Sequence, residues 1–322
     1  MTKRHIMEFE RPLAELESRL EELLGLDLSE NPELAAEVAS LADEVEALRQ
    51  STYTDLSPWD RVQISRHPQR PKAQDYLAAI FTDVVELHGD RVYGDDGAIV
   101  AALATIGGRR VVVLGHRKGK NVRENIAWNF GMAHPEGFRK AMRVMRLAEK
   151  FALPLVTLID TPGAYPGIEA EERGQAWAIA ESLELLSGLR VPVVAVGIGE
   201  GGSGGALAIG FGDRLIMLEN SYYSVITPEA CASILHKDAG RASDVATCLA
   251  MTAEDLIGLG IVDEIIPEPL GGAHREPDGV FNAVRERIAS ALDTLCDLPS
   301  DALVASRYER LRAIGIIEEG AC

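Results

Sequence analysis

Apolar residues before residue 50 recur at helical spacing. They form two groups, Leu13, Leu16, Leu20 and Leu23, followed by Leu34, Val38, Leu41, Val45 and Leu48. Asn31 and Pro32 lie between the groups and supply a helix cap and a proline suited to the first helical position. The pattern predicts two antiparallel helices, a hairpin over residues 1–50 that packs on the body of the protein or on a neighbouring subunit. Residues 51–74 are rich in polar side chains and predict a linker.

From residue 75 the apolar pattern alternates between helical and strand periods. The predicted helices span 76–87, 138–151, 174–186, 228–236, 253–259 and 280–295, and the predicted strands span 98–106, 110–115, 153–159, 191–197, 215–218, 222–226 and 260–266. This order predicts an α/β domain over residues 75–296, followed by a helical tail over residues 297–322. It fits either a doubly wound sheet or a spiral of ββα units, and periodicity alone does not choose between them.

The stretch from Pro192 to Gly210 predicts a buried strand, a tight turn and the start of a helix. The turn contains Gly201, Gly202, Gly204 and Gly205. Glycine allows positive φ and lets a ligand approach the main chain, and a helix start directs unpaired N–H groups at the same place. We therefore predict a site that stabilises a developing negative charge.

Two nucleotide-binding motifs match parts of this stretch. Residues 197–202 follow the G-x-G-x-x-G dinucleotide fingerprint, and Glu219 lies where an acid that binds a ribose is expected. The apolar segment after the glycines is, however, short for a crossover helix. P-loop spacing from 199 to 204 fails, because Gly205 and Ala206 stand where Lys and Ser or Thr are required. The P-loop is rejected, and the dinucleotide site stays a weak alternative.

Two further interpretations of the turn remain open. Ser203 has glycines on both sides, as in the nucleophile elbow of serine hydrolases, with His236 or His274 as a distant base. This pattern arises easily by chance in a glycine-rich segment. A close-packed turn without any chemistry is the other interpretation.

Composition narrows the classes of protein. With 322 residues, of which 47% are hydrophobic, the chain can bury a large core. Its net charge of −18 argues against general nucleic-acid binding. No apolar run reaches the length of a membrane span, and the N-terminus has no signal-peptide core, so we expect a cytoplasmic protein without membrane attachment. The four cysteines are far apart in the sequence, which argues against a zinc site or a disulfide framework.

Positive charge is concentrated between residues 101 and 150, which contain eleven Lys and Arg but three Glu. Because the chain as a whole is acidic, this segment is a candidate for docking an anionic ligand or an acidic partner. Arg117, Lys118 and Lys120 are the candidate residues. A solvated helix face is the alternative explanation.

Several motifs together resemble one protein family. They are DTPGAYPG at 160–167, AEERGQ at 170–175, GEGGSGGALAIG at 199–210, VITPE at 225–229 and PEPLGGAHR at 267–275. In this order they are similar to the α subunits of bacterial-type acetyl-CoA carboxylase carboxyltransferase. The likeness runs nearly end to end, since HPQRP at 67–71 and NFGM at 129–132 also belong to it. Ala230 stands where the family pattern has glycine.

The resemblance implies a fold and a set of partners. The fold would be a crotonase/ClpP-like spiral of ββα units, preceded by the helical hairpin. In this family the α chain works with a homologous β chain that carries a zinc ribbon, in an α2β2 assembly, so the metal is expected in the β partner and not here. Biotin carboxylase and a biotin carboxyl carrier protein would be the other components. The reaction would move a carboxyl group from carboxybiotin to acetyl-CoA and form malonyl-CoA for fatty-acid synthesis.

The resemblance and the chemistry of the turn together suggest roles for particular residues. Gly204 and Gly205 are expected to be catalytic, because their N–H groups would stabilise the charge that builds on the ureido oxygen as the carboxyl group leaves. The residues expected to bind biotin are Gly163, Ala164, Tyr165, Gly167, Gly202 and Ser203. Arg117, Lys118 and Lys120 would attract the carboxylate or CoA phosphates. A self-sufficient acyl-CoA hydratase or hydrolase and a non-catalytic scaffold subunit are the alternatives.

Overall fold

The computed structural model describes residues 5–26 and 31–315. In these residues the α-helices are α1 (Arg11–Leu24), α2 (Pro32–Thr54), α3 (Pro58–Ser65), α4 (Ala73–Ile80), α5 (Val122–Ala127), α6 (Pro135–Lys150), α7 (Ile168–Glu172), α8 (Gln175–Gly188), α9 (Ser203–Gly210), α10 (Pro228–His236), α11 (Ala242–Ala246), α12 (Ala253–Gly258), α13 (Pro277–Cys296) and α14 (Ser300–Arg312). The strands are β1 (Thr82–Glu86), β2 (Ile99–Ile106), β3 (Arg109–His116), β4 (Leu155–Thr161), β5 (Val193–Gly202), β6 (Arg214–Leu218), β7 (Tyr222–Ser224) and β8 (Glu264–Ile266). The predicted hairpin and tail extend in part beyond the described residues.

The strands form an eight-stranded sheet in the order β1-β2-β3-β4-β5-β6-β8, and β7 pairs with the end of β5. The pairs β1–β2 and β2–β3 are antiparallel, and the pairings from β3 onward are parallel. The β2–β3 hairpin turns at Gly107 and Gly108, which have φ values of 56° and 80°. Because β3, β4 and β5 run in one direction, their carboxyl ends meet at the same edge of the sheet.

Alternating side chains of the sheet are buried on both faces. On β3, Val111 and Val113 belong to the apolar cluster that includes residues of α4 and α13. Val112 and Leu114 belong to the cluster that includes residues of α6 and α8. Helices cover both faces, as expected for strands joined by helical crossovers. Among the described residues, no helix combines the length and the apolar character that crossing a membrane requires.

The helices predicted before residue 50 are present as α1 and α2. The side chain of Asn31 accepts a hydrogen bond from the Leu34 N–H at 3.1 Å and caps α2, as the sequence predicts. Leu13 of α1 and Val45 of α2 pack together with Tyr53 in a small apolar cluster. The two helices therefore share a core of their own.

Two elements differ from the sequence-based expectation. The helix predicted over 76–87 ends at Ile80, and residues 82–86 form β1, an exposed edge strand. Its β-branched pair Val84 and Val85 favours a strand that pairs with β2. Residues 51–74, expected to be a linker, contain the end of α2, all of α3 and the start of α4, and Arg70 and Lys72 are buried. The polar composition of these residues predicted exposure and not burial. The domain boundaries themselves stay a prediction.

Candidate active site at the glycine turn

The turn between β5 and α9 presents backbone N–H groups without a capping side chain. β5 extends beyond its predicted end at residue 197 because Glu200, Gly201 and Gly202 pair with β7. Ser203 is then the first residue of α9, and the N-cap residue is Gly202, so no side chain accepts from the first turn. Gly204 and Gly205 are the second and third residues of the helix, whose N–H groups lack acceptors within a helix. The turn thus has the feature that an anion site requires.

The loop 162–167 lies directly against this turn. A Cβ added to Gly202 would lie 2.1 Å from the Pro162 carbonyl oxygen, and one added to Gly205 would lie 2.4 Å from the carbonyl carbon of Gly163. Only glycine allows this approach of two backbones. The structure therefore brings Gly163 and Ala164 to the predicted catalytic pair. Gly167, at the other end of the loop, is the N-cap of α7.

Four hydrogen bonds and one ring stack fix the loop in place. The Thr161 hydroxyl accepts from the Gly163 N–H at 3.1 Å and donates to the Gly163 carbonyl oxygen at 2.7 Å. The Gln175 amide donates to the carbonyl oxygens of Ala133 and Tyr165 at 2.8 and 2.9 Å. The Tyr165 ring also stacks on His134, with ring centroids 4.1 Å apart. These contacts hold the loop through its own backbone and through the side chains of Gln175 and His134.

Ser203 is exposed and has a positive φ of 52°. Both candidate bases are placed elsewhere: His274 stacks on His67 with ring centroids 3.7 Å apart, and His236 lies exposed at the end of α10. The hydroxyl of Ser203 makes no hydrogen bond to another described residue. The geometry gives no support to a serine nucleophile.

We expect Ser203→Ala to keep most of the carboxyl-transfer activity that the family resemblance implies. The substitution removes a hydroxyl that no other described residue engages, and it keeps the backbone N–H groups of the turn. Initial rates of the variant and of the wild-type protein, each measured with its partner subunit, test this. A loss of about 100-fold or more, the scale on which a catalytic group contributes, would bring back the nucleophile interpretation.

Charged side chains cluster beneath the turn, where β3, β4 and β5 end. The Lys118 ammonium lies 2.8 Å from Asp160 Oδ1 and also donates to Glu200. Asp160 Oδ1 accepts from the Glu200 N–H at 3.0 Å. Arg66 donates to Glu200 Oε1 at 2.6 Å, and the Lys72 ammonium lies 3.7 Å from Asp160 Oδ2. The cluster joins three strand ends to the chain that precedes α4.

The pKa shifts show that Asp160, Glu200 and Lys118 are held in their charged forms. Burial alone would raise the pKa of Asp160, but the ammonium groups of Lys118 and Lys72 lower it to about 2. Burial opposes the charge of Lys118, yet Asp160 and Glu200 raise its pKa. For Lys72, burial outweighs the nearby Asp160 and lowers the pKa. Asp160 and Glu200 are therefore fixed as charged partners and are poor candidates for a general acid.

The three cations predicted to face an anion lie in different environments. The positive charge of Lys118 is balanced by Asp160 and Glu200 in the buried cluster. Arg117 donates to Glu86 at 2.8 Å and lies over the ring of Trp128. Lys120 is exposed and pairs with Asp75 at 2.5 Å. Lys118 and Lys120 line a cavity of about 460 Å³, together with Arg66, Lys72, Pro162 and Glu200 among others. Arg117 does not line it, and the anion-binding role of all three stays a prediction.

A sequence model of the acetyl co-enzyme A carboxylase carboxyltransferase-like family matches residues 6–315. The chain belongs to this family. Acetyl-coenzyme A carboxylase carboxyl transferase subunit alpha of Thioalkalivibrio sulfidiphilus is 52% identical over 98% of this chain and 98% of the relative. A subunit of the same name from Thermus thermophilus is 51% identical over 97% of this chain and 99% of the relative. The family that the motifs indicate is therefore confirmed.

Solved structures agree on the fold. A transcarboxylase 12S structure superposes with a TM-score of 0.59 at 22% identity, covering 75% of this chain and 45% of the other. A Pseudomonas malonate decarboxylase hetero-tetramer in complex with coenzyme A gives a TM-score of 0.55 at 19% identity, covering 69% of this chain and 89% of the other. The predicted crotonase-like α/β fold is confirmed. This chain spans less than half of the transcarboxylase chain.

Sequence reasoning missed His116, Asp160 and Glu200 as parts of the site. Asp160 Oδ1 contacts Lys118, and the Asp160 N–H contacts His116. Each of the three lies at or near the end of a buried strand of a parallel sheet, where functional residues collect. A position at the carboxyl end of a predicted buried strand is the sequence signal that could have identified these three residues.

Proposed function

We propose that this chain, together with a β subunit, transfers the carboxyl group of carboxybiotin to acetyl-CoA and forms malonyl-CoA for fatty-acid synthesis. The observation that carries the proposal is the uncapped start of α9, held against the loop 162–164. Carboxybiotin, delivered on a biotin carboxyl carrier protein, supplies the carboxyl group. Biotin carboxylase would supply it in that form. We place this reaction in the cytoplasm.

The N–H groups of Gly204 and Gly205 would receive the negative charge that develops on the ureido oxygen. They are backbone groups on a strand-to-helix turn that packs against a second backbone, so they need little reorganisation during the reaction. Gly163, Ala164, Tyr165 and Gly167 would form the wall of the biotin site, because their loop borders the turn. Gly202 and Ser203 would complete it.

A second chain is needed to complete the site. The malonate decarboxylase relative is a hetero-tetramer, and this chain spans 45% of a transcarboxylase chain, which leaves room there for a second domain of similar size. Ile168 of α7 and Trp177 of α8 are 77% and 72% exposed, although both are large apolar side chains. Such residues favour an interface. We propose a homologous β subunit, an α2β2 assembly, and zinc in the β subunit; the described residues contain no His, Cys, Asp or Glu group suited to a metal.

Two alternatives have less support. A self-sufficient hydratase would need free carboxylates beside the turn, but Asp160 and Glu200 are held in ion pairs. A scaffold subunit would need neither the uncapped helix start nor the close approach of two glycine backbones. The same experiment separates all three.

We expect malonyl-CoA only when this chain and its β partner are mixed. Each chain alone and the mixture are given acetyl-CoA and carboxybiotin, and product is measured by chromatography. The carboxyl donor site and the acyl-CoA site would then lie on different chains. Product from this chain alone would favour the self-sufficient enzyme, and equal product from the partner alone would favour the scaffold.

A further inference from the structure

His116 joins the end of β3 to the first turn of α9. Its side chain is fully buried, and its two ring nitrogens contact different segments. Nδ1 lies 3.3 Å from the backbone nitrogen of Asp160, and Nε2 lies 3.1 Å from the carbonyl oxygen of Gly205. The proposed carboxyl transfer gives His116 no direct part. The contact with the Gly205 carbonyl places the ring against the same residue that carries one of the two N–H groups expected to be catalytic.

The hydrogen bonds determine which ring nitrogen carries the proton. A backbone N–H is only a donor, so Nδ1 must accept from Asp160. The carbonyl oxygen of Gly205 is only an acceptor, so Nε2 must donate. Burial lowers the pKa of His116 to about 4, which keeps the ring neutral near pH 7. One neutral tautomer therefore satisfies both contacts.

Asp160, whose N–H contacts the His116 ring, is itself held by hydrogen bonds. Asp160 Oδ1 accepts from the Lys118 ammonium at 2.8 Å and from the Glu200 N–H at 3.0 Å. The Asp160 N–H in turn orients the imidazole. Gly205 has no side chain that could anchor it, and glycine is the residue with the widest backbone freedom. Among the described residues, no side chain caps the start of α9, and the imidazole anchors its first turn through the Gly205 carbonyl.

We propose that His116 is a positioning residue, whose Nε2–H holds the carbonyl oxygen of Gly205 and thereby fixes the first turn of α9, which carries the N–H groups of Gly204 and Gly205. The proposal rests on the proposed function of those amides. A shift of an oriented group by about 1 Å can cost 100-fold in rate, so such an anchor has kinetic consequences. The effect belongs to kcat, because the charge that the amides meet develops only in the transition state.

Substituting asparagine or glutamine for His116 tests its two hydrogen bonds separately. The amide of an asparagine side chain would end near the Nδ1 position and keep the contact with Asp160, but it would not reach Gly205. Glutamine is longer and places its NH2 group near the Nε2 position. In the complex with the β partner, we expect His116→Asn to lose on the order of 100-fold in kcat with little change in the KM for acetyl-CoA. His116→Gln should keep most of kcat, and His236→Asn, at an exposed histidine, is the control.

A second measurement does not depend on activity. Glycine-selective 15N labelling gives the amide signals of Gly204 and Gly205, and 15N labelling of histidine reports the tautomer of His116. We expect both amide signals to move in His116→Asn and to stay near their wild-type positions in His116→Gln. Unchanged signals and kcat in His116→Asn would overturn the proposal, and so would equal losses in both variants. If the wild-type complex transfers no carboxyl group, the proposed function fails, while the amide signals still decide whether His116 holds the turn.

Discussion

Replacing Gly205 by alanine is expected to lower kcat for carboxyl transfer by about 10²- to 10³-fold, the loss typical of one missing oxyanion donor. A Cβ at this position would lie 2.4 Å from the carbonyl carbon of Gly163 and 2.5 Å from the nitrogen of Ala164. These are backbone atoms of a fixed loop, so either the start of α9 or the loop must move. Both movements turn the N–H groups away from the developing charge. The KM for acetyl-CoA should change little, because the lost interaction belongs to the transition state.

Two further glycine variants test whether displacement of the backbone is the cause. A Cβ on Gly204 meets the side chain of Ile179 at 3.4 Å, an ordinary contact, so Gly204→Ala should lose less activity than Gly205→Ala. Gly258 in α12 is exposed, and a Cβ there meets nothing within 4 Å. Gly258→Ala should therefore leave kcat unchanged. Circular dichroism establishes that each variant is folded, and wild-type kcat in folded Gly205→Ala would contradict the role of this turn.

The glycine turn could be predicted from the sequence because its signals are local. An apolar β-branched run, a group of glycines and an Ala/Leu segment follow one another between Pro192 and Gly210. Each part predicts its own backbone conformation, and together they predict unpaired N–H groups at the start of the helix. The neighbouring loop 162–167 is identified through its motif. Its contact with Gly202 and Gly205 could not be derived, since it depends on how two crossovers pack.

The buried charges could not be predicted, because their partners are far apart in the sequence. Lys118, Asp160 and Glu200 come from three segments that meet only when β3, β4 and β5 align. Adjacency in the sequence instead grouped Lys118 with Arg117 and Lys120, and the structure places these three in different environments. Polar composition predicts exposure on average, and it fails where opposite charges pair inside the protein.

The reliance on local composition and short patterns also explains the errors in the predicted fold. Residues 51–72 look polar, yet Val62 and Ile64 of α3 are fully buried. The helix predicted over 76–87 combined a true helix with an edge strand, because a short apolar run has no period long enough to distinguish the two. Long elements with regular spacing, such as α6 and α13, were predicted within a few residues of their bounds. The spiral of ββα units came from the family resemblance and not from periodicity.

Removing one partner of the ion pair of Arg70 and Glu268 should strongly destabilise the fold. Both side chains are fully buried, and the guanidinium binds both carboxylate oxygens at 2.6 and 2.8 Å. Arg70 also donates to the Ile198 carbonyl oxygen at 2.8 Å. Glu268 accepts from the N–H groups of Asn220 and Ala273 at 2.9 and 2.6 Å. The pair thus connects the HPQRP motif, β5 and the loop that follows β8.

We expect Arg70→Met to lower the free energy of unfolding by about 3–5 kcal/mol, because it leaves a carboxylate buried without a counter-charge. The double variant with Glu268→Gln should lose less, since the glutamine carries no charge and its amide oxygen still accepts from one of the two backbone N–H groups. Arg241→Met is the control: its partner Asp244 is exposed, and a surface pair contributes about 1 kcal/mol or less. Urea unfolding of the four proteins measures the differences. Equal losses in the single and double variants would show that packing, and not charge, is responsible.

The pH dependence of the free energy of unfolding gives an independent test of whether the effect of Arg70→Met is electrostatic. Burial alone would raise the pKa of Glu268, but Arg70 lowers it below its ordinary value. In the wild-type protein this group therefore stabilises the fold above its unfolded pKa of about 4.3, and the contribution is lost as the pH falls through the lower folded value. In Arg70→Met the counter-charge is gone and only the two backbone N–H donors oppose burial, so the pKa rises and protonation relieves the buried charge as the pH falls. The stability difference between the two proteins should narrow from pH 8 to pH 4, and a constant difference would refute an electrostatic origin.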